Sequence, residues 1–309
     1  MANSGLEFVP WKLNQPTAIQ EEIEKRLTET AKSRLVVFKG PESLGQQAVI
    51  VPMLQAGLAI AYAPPRIVTP VHVYVDVTLD DQRAADPASV KRAIGSAAAQ
   101  LGVIEDYEVL LGVTRAPVPP PPPAPSSGRF VRNAALARDS LTGPGVVLPL
   151  VPPLRAPILI GAGGNPNGNQ LHIAIIAAVA ALEGANRPGR VGLLVSHNLR
   201  ATLDLPRPRA PGTPGGVVPL IQEVAGRIGN QIVSTSALPP PPAPPPPAGA
   251  APVVCGVLLR MEPAAADVVH TQLPTVTVLG RAAGMTQLRV EEEIAVRLLD
   301  PAAIQTIAY

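Results

Sequence analysis

The sequence predicts an α+β fold, and three stretches predict it. Residues 35–77 read as short β-branched segments, residues 86–112 as one long amphipathic helix, and residues 169–281 as helices and strands in alternation. With 309 residues, the chain is long enough for one large or two ordinary domains with a sizeable core.

Pro16 and Thr17 open the first helix. Thr17-Ala-Ile-Gln20 has the capping-box form, in which the two end side chains satisfy free backbone N–H groups at a helix start. Ile19, Ile23 and Leu27 then recur every four residues, while Glu21, Glu22, Lys25 and Arg26 take the other faces, so the helix carries one narrow apolar stripe. LVVF, QAVIVP, RIV and VHVYVDV follow as strands separated by Gly or Pro, and Val71–Val77 alternates cleanly, with His72, Tyr74 and Asp76 opposite the valines. Leu54–Pro65 is a low-charge arm with little from which to build its own core. Asp86 as N-cap and Pro87 at the first helical position start the long helix, and Val90, Ile94, Ala97 or Ala98, and Leu101 mark its buried face. Two proline tracts, Ala116–Pro125 and Pro239–Pro252, remove the donors that helix and sheet require and read as loops projecting from a folded body. Beyond the first tract, Asn169 caps a helix ending at Gly184, Arg190–Ser196 is a buried strand, and Ser196 caps the short helix after it. Val218–Gly229 is amphipathic with Gly229 as its stop, and QIVSTS, VVCGVLLR and TVTVLG supply further strands.

Composition excludes several function classes. Apolar residues make up 47% and charged residues 16% of the chain, a balance suited to extensive subunit contacts because interface cores are depleted of charge. A net charge of +2 without a Lys/Arg run offers no phosphate-binding patch, so no nucleic-acid partner is expected. No apolar stretch reaches membrane-spanning length and no secretory leader is visible, so a cytoplasmic location is expected. The single cysteine, Cys255, reads as a small buried hydrophobe. Gly161, Gly163 and Gly168 have the wrong spacing for a dinucleotide turn, with Pro166 intruding, and a monomeric nucleotide-binding enzyme built on the Gly161–Gly168 turn is the least favoured reading. His72, His172, His197 and His270 are scattered without ligand spacing. Glu291, Glu292 and Glu293 lie consecutively in a strand read as solvated or interface-facing, and Glu105 and Asp106 read as caps or subunit salt bridges. No catalytic residue, cofactor or metal site is expected.

Four segments together resemble one family. They are IEDYEVLLG (Ile104–Gly112), LRVEEEIAVRLLDPAAIQTIA (Leu288–Ala308), the N-terminal helix running into a basic-then-apolar strand (Thr17–Phe38), and LLVSHNLRATL (Leu193–Leu203). In type and order they are similar to the encapsulins (the linocin/bacteriocin-like family), shell proteins built on the tailed-phage major-capsid fold. The resemblance implies an N-terminal helical arm (1–34), an extended loop and strands reaching across the next subunit (35–76), and a peripheral domain with a long spine helix (77–115). It further implies a Pro/Gly-rich insertion (116–157), an axial domain with a proline-rich loop (158–285), and a C-terminal strand returning to the body (286–309). The function implied is a non-enzymatic subunit of an icosahedral nanocompartment. Its partners would be copies of itself and a cargo enzyme bearing a short terminal targeting peptide, which would dock at Ile19, Ile23 and Leu27. A viral or prophage major capsid protein is the alternative, disfavoured because the chain starts almost directly with the amphipathic helix.

Overall fold

The computed structural model describes residues 16–46, 49–54, 62–68, 70–112, 127–131, 139–140, 143–144, 156–160, 168–184, 189–206, 219–229, 231–240 and 252–309. The expected capping box at Thr17, the interiors of both proline tracts and the glycine turn before Gly168 lie outside the described side chains or residues. In chain order, helix α1 (Pro16–Thr30) leads through a 3-10 turn (Lys32–Leu35) to strands β1 (Phe38–Lys39), β2 (Val49–Leu54), β3 (Tyr62–Val68) and β4 (Val71–Asp80). Helices α2 (Asp81–Ala85) and α3 (Pro87–Leu111) follow, then short strands β5 (Ser127–Val131), β6 (Asp139–Ser140), β7 (Gly143–Pro144) and β8 (Ile158–Leu159). Next come α4 (Gly168–Gly184), β9 (Val191–Ser196), α5 (His197–Asp204), α6 (Leu220–Ile228) and β10 (Ile232–Thr235). The chain finishes with β11 (Val254–Arg260), β12 (Ala266–Ala282), β13 (Met285–Leu298), a second 3-10 turn (Pro301–Ala303) and β14 (Ile304–Ala308).

Two five-stranded sheets organise these elements, in the orders β1-β12-β13-β4-β5 and β10-β9-β11-β14-β8. In the first, the alternation of β4 puts Val71, Val73, Val75, Val77 and Leu79 on one buried face, and α1 and α3 lie across it. Asp86 starts α3 as expected, its carboxylate accepting from the Ala88 and Ser89 N–H groups at 3.1 Å each. Glycines let α1 come close. A Cβ at Gly102 would fall on the Thr30 hydroxyl and 2.9 Å from the Ala31 nitrogen, and one at Gly95 would lie 3.1 Å from Glu22 Oε1. In the second sheet β9 and its neighbours are covered by α4, α5 and α6 through Leu171, Ile175, Leu199, Leu203, Val224 and Ile228. Ser196 caps α5 through the Leu199 N–H at 3.4 Å, and Gly229 ends α6 in the left-handed region at φ 81°. Helix α4 begins at Gly168, so Asn169 sits inside its first turn instead of capping it; boundaries of this kind shift by a residue easily. Cys255 is fully buried, and burial pushes its thiol up to about 12. No described helix is long and apolar enough to cross a membrane.

Three features differ from the segment-by-segment expectation. Ser127–Val131, inside the segment read as an insertion, pairs antiparallel with β4 and extends the first sheet. Strands β12 and β13 form one long antiparallel hairpin, closed at Ala283 (φ 51°) and Gly284 (φ 75°), so the boundary expected between 285 and 286 falls at its tip. Two positive φ values are the mark of a type I′ turn, whose twist matches the strands it joins. Finally, the C-terminal run is two strands in two sheets: β13 lies between β12 and β4, and β14 lies between β11 and β8. Periodicity identifies strands; it does not say which strand is the partner.

β2 and β3 stand apart. They pair only with each other among the described residues, in a two-stranded ribbon with a register shift between Val51 and Met53. At its base, Val49 and Val68 pack with Val269, Ala295 and Leu299. Pro52, Pro64 and Pro65 fall at that register shift, between the pairs Val51–Arg66 and Met53–Ala63, where no ladder pair has to be made.

Candidate functional site

The N-terminal helix carries the three residues expected to receive a cargo peptide. Ile23 and Leu27 are 0% exposed, in one cluster with Val73, Val75, Ile94, Ala98, Leu101 and Val290. The stripe therefore faces its own core, and burying each of these side chains contributes roughly 2 kcal/mol to the fold. Ile19 is half-buried and packs at the rim of the same cluster. The helix is fixed there by Gln20 Nε2 donating to the Pro274 carbonyl at 3.1 Å. Glu22 and Arg26 pair at 2.8 Å on the side of the helix that passes Gly95 of α3.

At the far end of α1 lies a group of buried charges that the sequence reading placed at the surface. Arg34 Nε donates to both Glu105 carboxylate oxygens at 2.9 Å, and Arg34 Nη2 lies 2.7 Å from Glu105 Oε2 and 3.0 Å from Glu292 Oε2. Glu105 and Glu292 are both 0% exposed. Beside them His270 is buried, its Nε2 3.7 Å from Glu292 Oε2, while His270 Nδ1 and Glu292 Oε1 have no hydrogen-bond partner. Asp106 stitches the same region, accepting from the Lys32 N–H at 3.0 Å, the Ser33 N–H at 2.8 Å and the Thr235 hydroxyl at 2.8 Å. Residues 32–33 and β10 of the second sheet thus share one carboxylate.

These placements correct the reading of the acidic residues. The alternation on β13 holds: Glu292 faces the α3 side with Val73, and Glu291 the opposite face, where His72 Nε2 approaches it at 2.8 Å and the Thr277 hydroxyl donates to it. But Glu292 is fully buried and Glu293 is 2% exposed, so this strand is not solvated. The central position of β13 is the reason, since a carboxylate there has helix on one side and strands on both edges. A sequence signal existed in Arg34, the basic residue of the basic-then-apolar segment, with two acid pairs elsewhere that needed a cation.

Burial and charge set the protonation of the cluster. Burial and the neighbouring Glu105 carboxylate hold the Glu292 carboxyl well above the usual range, outweighing Arg34. Burial pulls Arg34 down, but Glu105 and Glu292 overcome it and keep the guanidinium charged. Burial likewise raises Asp106 against its three donors, and Glu291 is lowered because hydrogen bonds from His72 and Thr277 outweigh burial. Burial lowers His270 from 6.5 to about 4, so it is neutral in the folded chain. For a histidine held below its free value, stability is fully present above pH 6.5 and is lost as pH falls toward about 4. The expected loss is on the order of 3 kcal/mol. Urea unfolding across that window should show it as a difference, with His270→Gln gaining stability relative to the wild type as pH falls.

Elsewhere the ionisable groups pair as sheet-surface ladders. Arg289 grips Asp76 at 2.6 and 3.0 Å and lies over the Tyr74 ring, and Arg297 pairs with Asp267. Among the described residues no group of three potential metal ligands converges.

Comparison with solved structures finds the same fold elsewhere. Over 94% of this chain and 97% of the other, the structure is similar to the virus-like particle of Pyrococcus furiosus, at 12% identity and a TM-score of 0.64. It is also similar to the capsid of an empty GTA particle (14% identity, 90% of this chain, 89% of the other, TM-score 0.52). The SrpI encapsulin of Synechococcus elongatus PCC 7942 matches at 11% identity over 91% of this chain and 88% of the other, with a TM-score of 0.51. No family model matches the chain, and no curated protein sequence does. The chain therefore has an α+β fold similar to that of tailed-phage capsid and encapsulin subunits.

Proposed function

We propose that this chain is a self-assembling shell subunit of the encapsulin kind, closing with copies of itself around a cargo enzyme in the cytoplasm. The observation that carries the reading is the β2–β3 ribbon. A lone two-stranded ribbon is marginal in water, and among the described residues this one pairs with no other strand, which suits an arm completed by a neighbouring copy. In this reading β2–β3 is the arm that reaches across the next subunit, and α3 is the spine helix of a peripheral domain built on the first sheet. The second sheet with α4, α5 and α6 is the axial domain. The chain needs no catalytic step of its own. A cargo peptide would lie along α1 and touch Ile19, with Ile23 and Leu27 beneath as support.

A phage-type capsid subunit is the second reading, favoured by the similarity to the GTA particle capsid. Electron microscopy of the purified protein is expected to show closed, uniform particles, and a monomer at micromolar concentration in mild salt would overturn the shell. The contents separate the two readings: a co-purifying protein marks a compartment, and packaged nucleic acid marks a capsid.

A further inference from the structure

The cluster around Arg34 has an imbalance of charge that no described neighbour corrects. Two carboxyl groups without exposed surface, Glu105 from α3 and Glu292 from β13, meet one guanidinium whose side chain is 25% exposed. The other elements packed there supply no second cation. β12 contributes His270 at 3.7 Å, β4 presents Val73 opposite Glu292, and β10 contributes Thr235, which is bound to Asp106. Asp106 itself is turned to Lys32, Ser33 and Thr235, and Asp267 of β12 is held by Arg297. Lys39 and Glu42, beyond the turn, pair with each other at 3.0 Å. A buried net charge is costly, so the closed arrangement calls for one proton on the carboxyl pair.

We propose that Arg34, Glu105 and Glu292 form a proton-gated latch, closed while the carboxyl pair holds one proton and opened when rising pH removes it. The gated element is the 3-10 turn Lys32–Leu35, held to α3 by Glu105 and Asp106 and to β13 by Glu292. That turn joins α1 to β1 and the segment leading into the β2–β3 ribbon, so opening frees the base of the ribbon's approach. The group bearing the proton is Glu292, whose carboxyl burial and Glu105 hold above the usual range. The sign follows: a carboxyl raised in the folded chain contributes fully below its free value near 4.5, and that contribution is lost as pH rises through its folded value. The latch rests on the geometry of one chain; only its consequence for particle integrity rests on the shell reading.

Hydrogen exchange of peptides covering residues 30–45, corrected for the intrinsic pH dependence of exchange, measures the opening. One proton linked to opening gives about a tenfold fall in protection per pH unit through the titration. The slope should be present in the wild type and absent in Glu292→Gln and in Glu105→Gln, each of which balances the guanidinium or removes the titrating group. Protection independent of pH in the wild type, or a slope that survives both substitutions, overturns the latch. If neither variant folds, infrared spectroscopy of the wild type decides. A protonated-carboxyl stretch must vanish over the same pH range as the protection, and a band that persists while protection falls overturns the proposal. Sedimentation of the same samples reports particle integrity separately, so a chain that never assembles still tests the latch.

Discussion

Arg34→Ala is expected to unfold the chain at neutral pH and to be partly rescued by acid. The substitution takes away the cation that both Glu105 and Glu292 bind, the only one in reach among the described residues, and leaves two fully buried carboxyl groups facing each other. Breaking a buried pair in this way costs about 3–5 kcal/mol. Whole-domain stabilities are of order 5–15 kcal/mol, so the loss is severe. Acid protonates both carboxyls and removes their charge, so the urea midpoint of the variant should rise as pH falls when measured in a His270→Gln background, which removes the opposing histidine loss between pH 6.5 and about 4. Combining Arg34→Met with Glu105→Gln and Glu292→Gln should recover most of the stability, because uncharged side chains of similar volume replace such groups at little cost. A single Arg34→Ala chain as stable as the wild type at neutral pH would show that the cluster is not a closed electrostatic unit.

Ile23→Asp is expected to abolish folded, soluble protein, whereas Ile19→Asp is expected to keep the fold. Ile23 has no exposed surface and sits among valines, alanines and leucines of α3 and the first sheet, with no polar group of that cluster to receive a carboxylate. The cost of an unpaired charge there is on the order of 4 kcal/mol or more. Ile19 lies at the rim, where an aspartate turns toward water. Thermal melts followed by circular dichroism separate the two. If the shell reading holds, Ile19→Asp particles should form and lose cargo, and this is the informative substitution for docking on α1. Intact Ile19→Asp particles that load normally would put the peptide elsewhere; a cooperative, native-like melt for Ile23→Asp would contradict the packing of α1.

The helices and the face of β4 were legible because their periods are set by residues a few positions apart. Asp86-Pro87, Ser196 and Gly229 act as the caps and stop that their chemistry indicates. The alternating valines of β4 face the helices as their period requires. Partnership was not legible. VEEEI gives no local sign that its glutamates are central, since their solvent is displaced by α3, β12 and β4, which come from distant parts of the chain. Arg34 and Glu292 are 258 residues apart and become one unit only when β13 inserts beside β4. The stripe of α1 was legible as apolar, but not as consumed by its own core, because the glycines at 95 and 102 that let α3 receive it matter only at close approach. Strand β5 was hidden by the proline-rich sequence on either side of it.

The order in which the chain visits its two sheets bears on how a shell could be made at all. β4 waits for β13, β9 waits for β11, and β14 enters the second sheet between β11 and β8 after the chain has already completed the β12–β13 hairpin in the first. Neither sheet can close while the polypeptide emerging from a ribosome is short of β13 and β14, and such non-local pairing is slow. A nascent subunit therefore exposes the unpaired faces of both sheets until nearly all of residues 254–308 have emerged. During that interval β2–β3 has no finished body to grip. Under the shell reading, a polypeptide halted before β13 lacks the central strand of its first sheet and offers its neighbours no folded body to join.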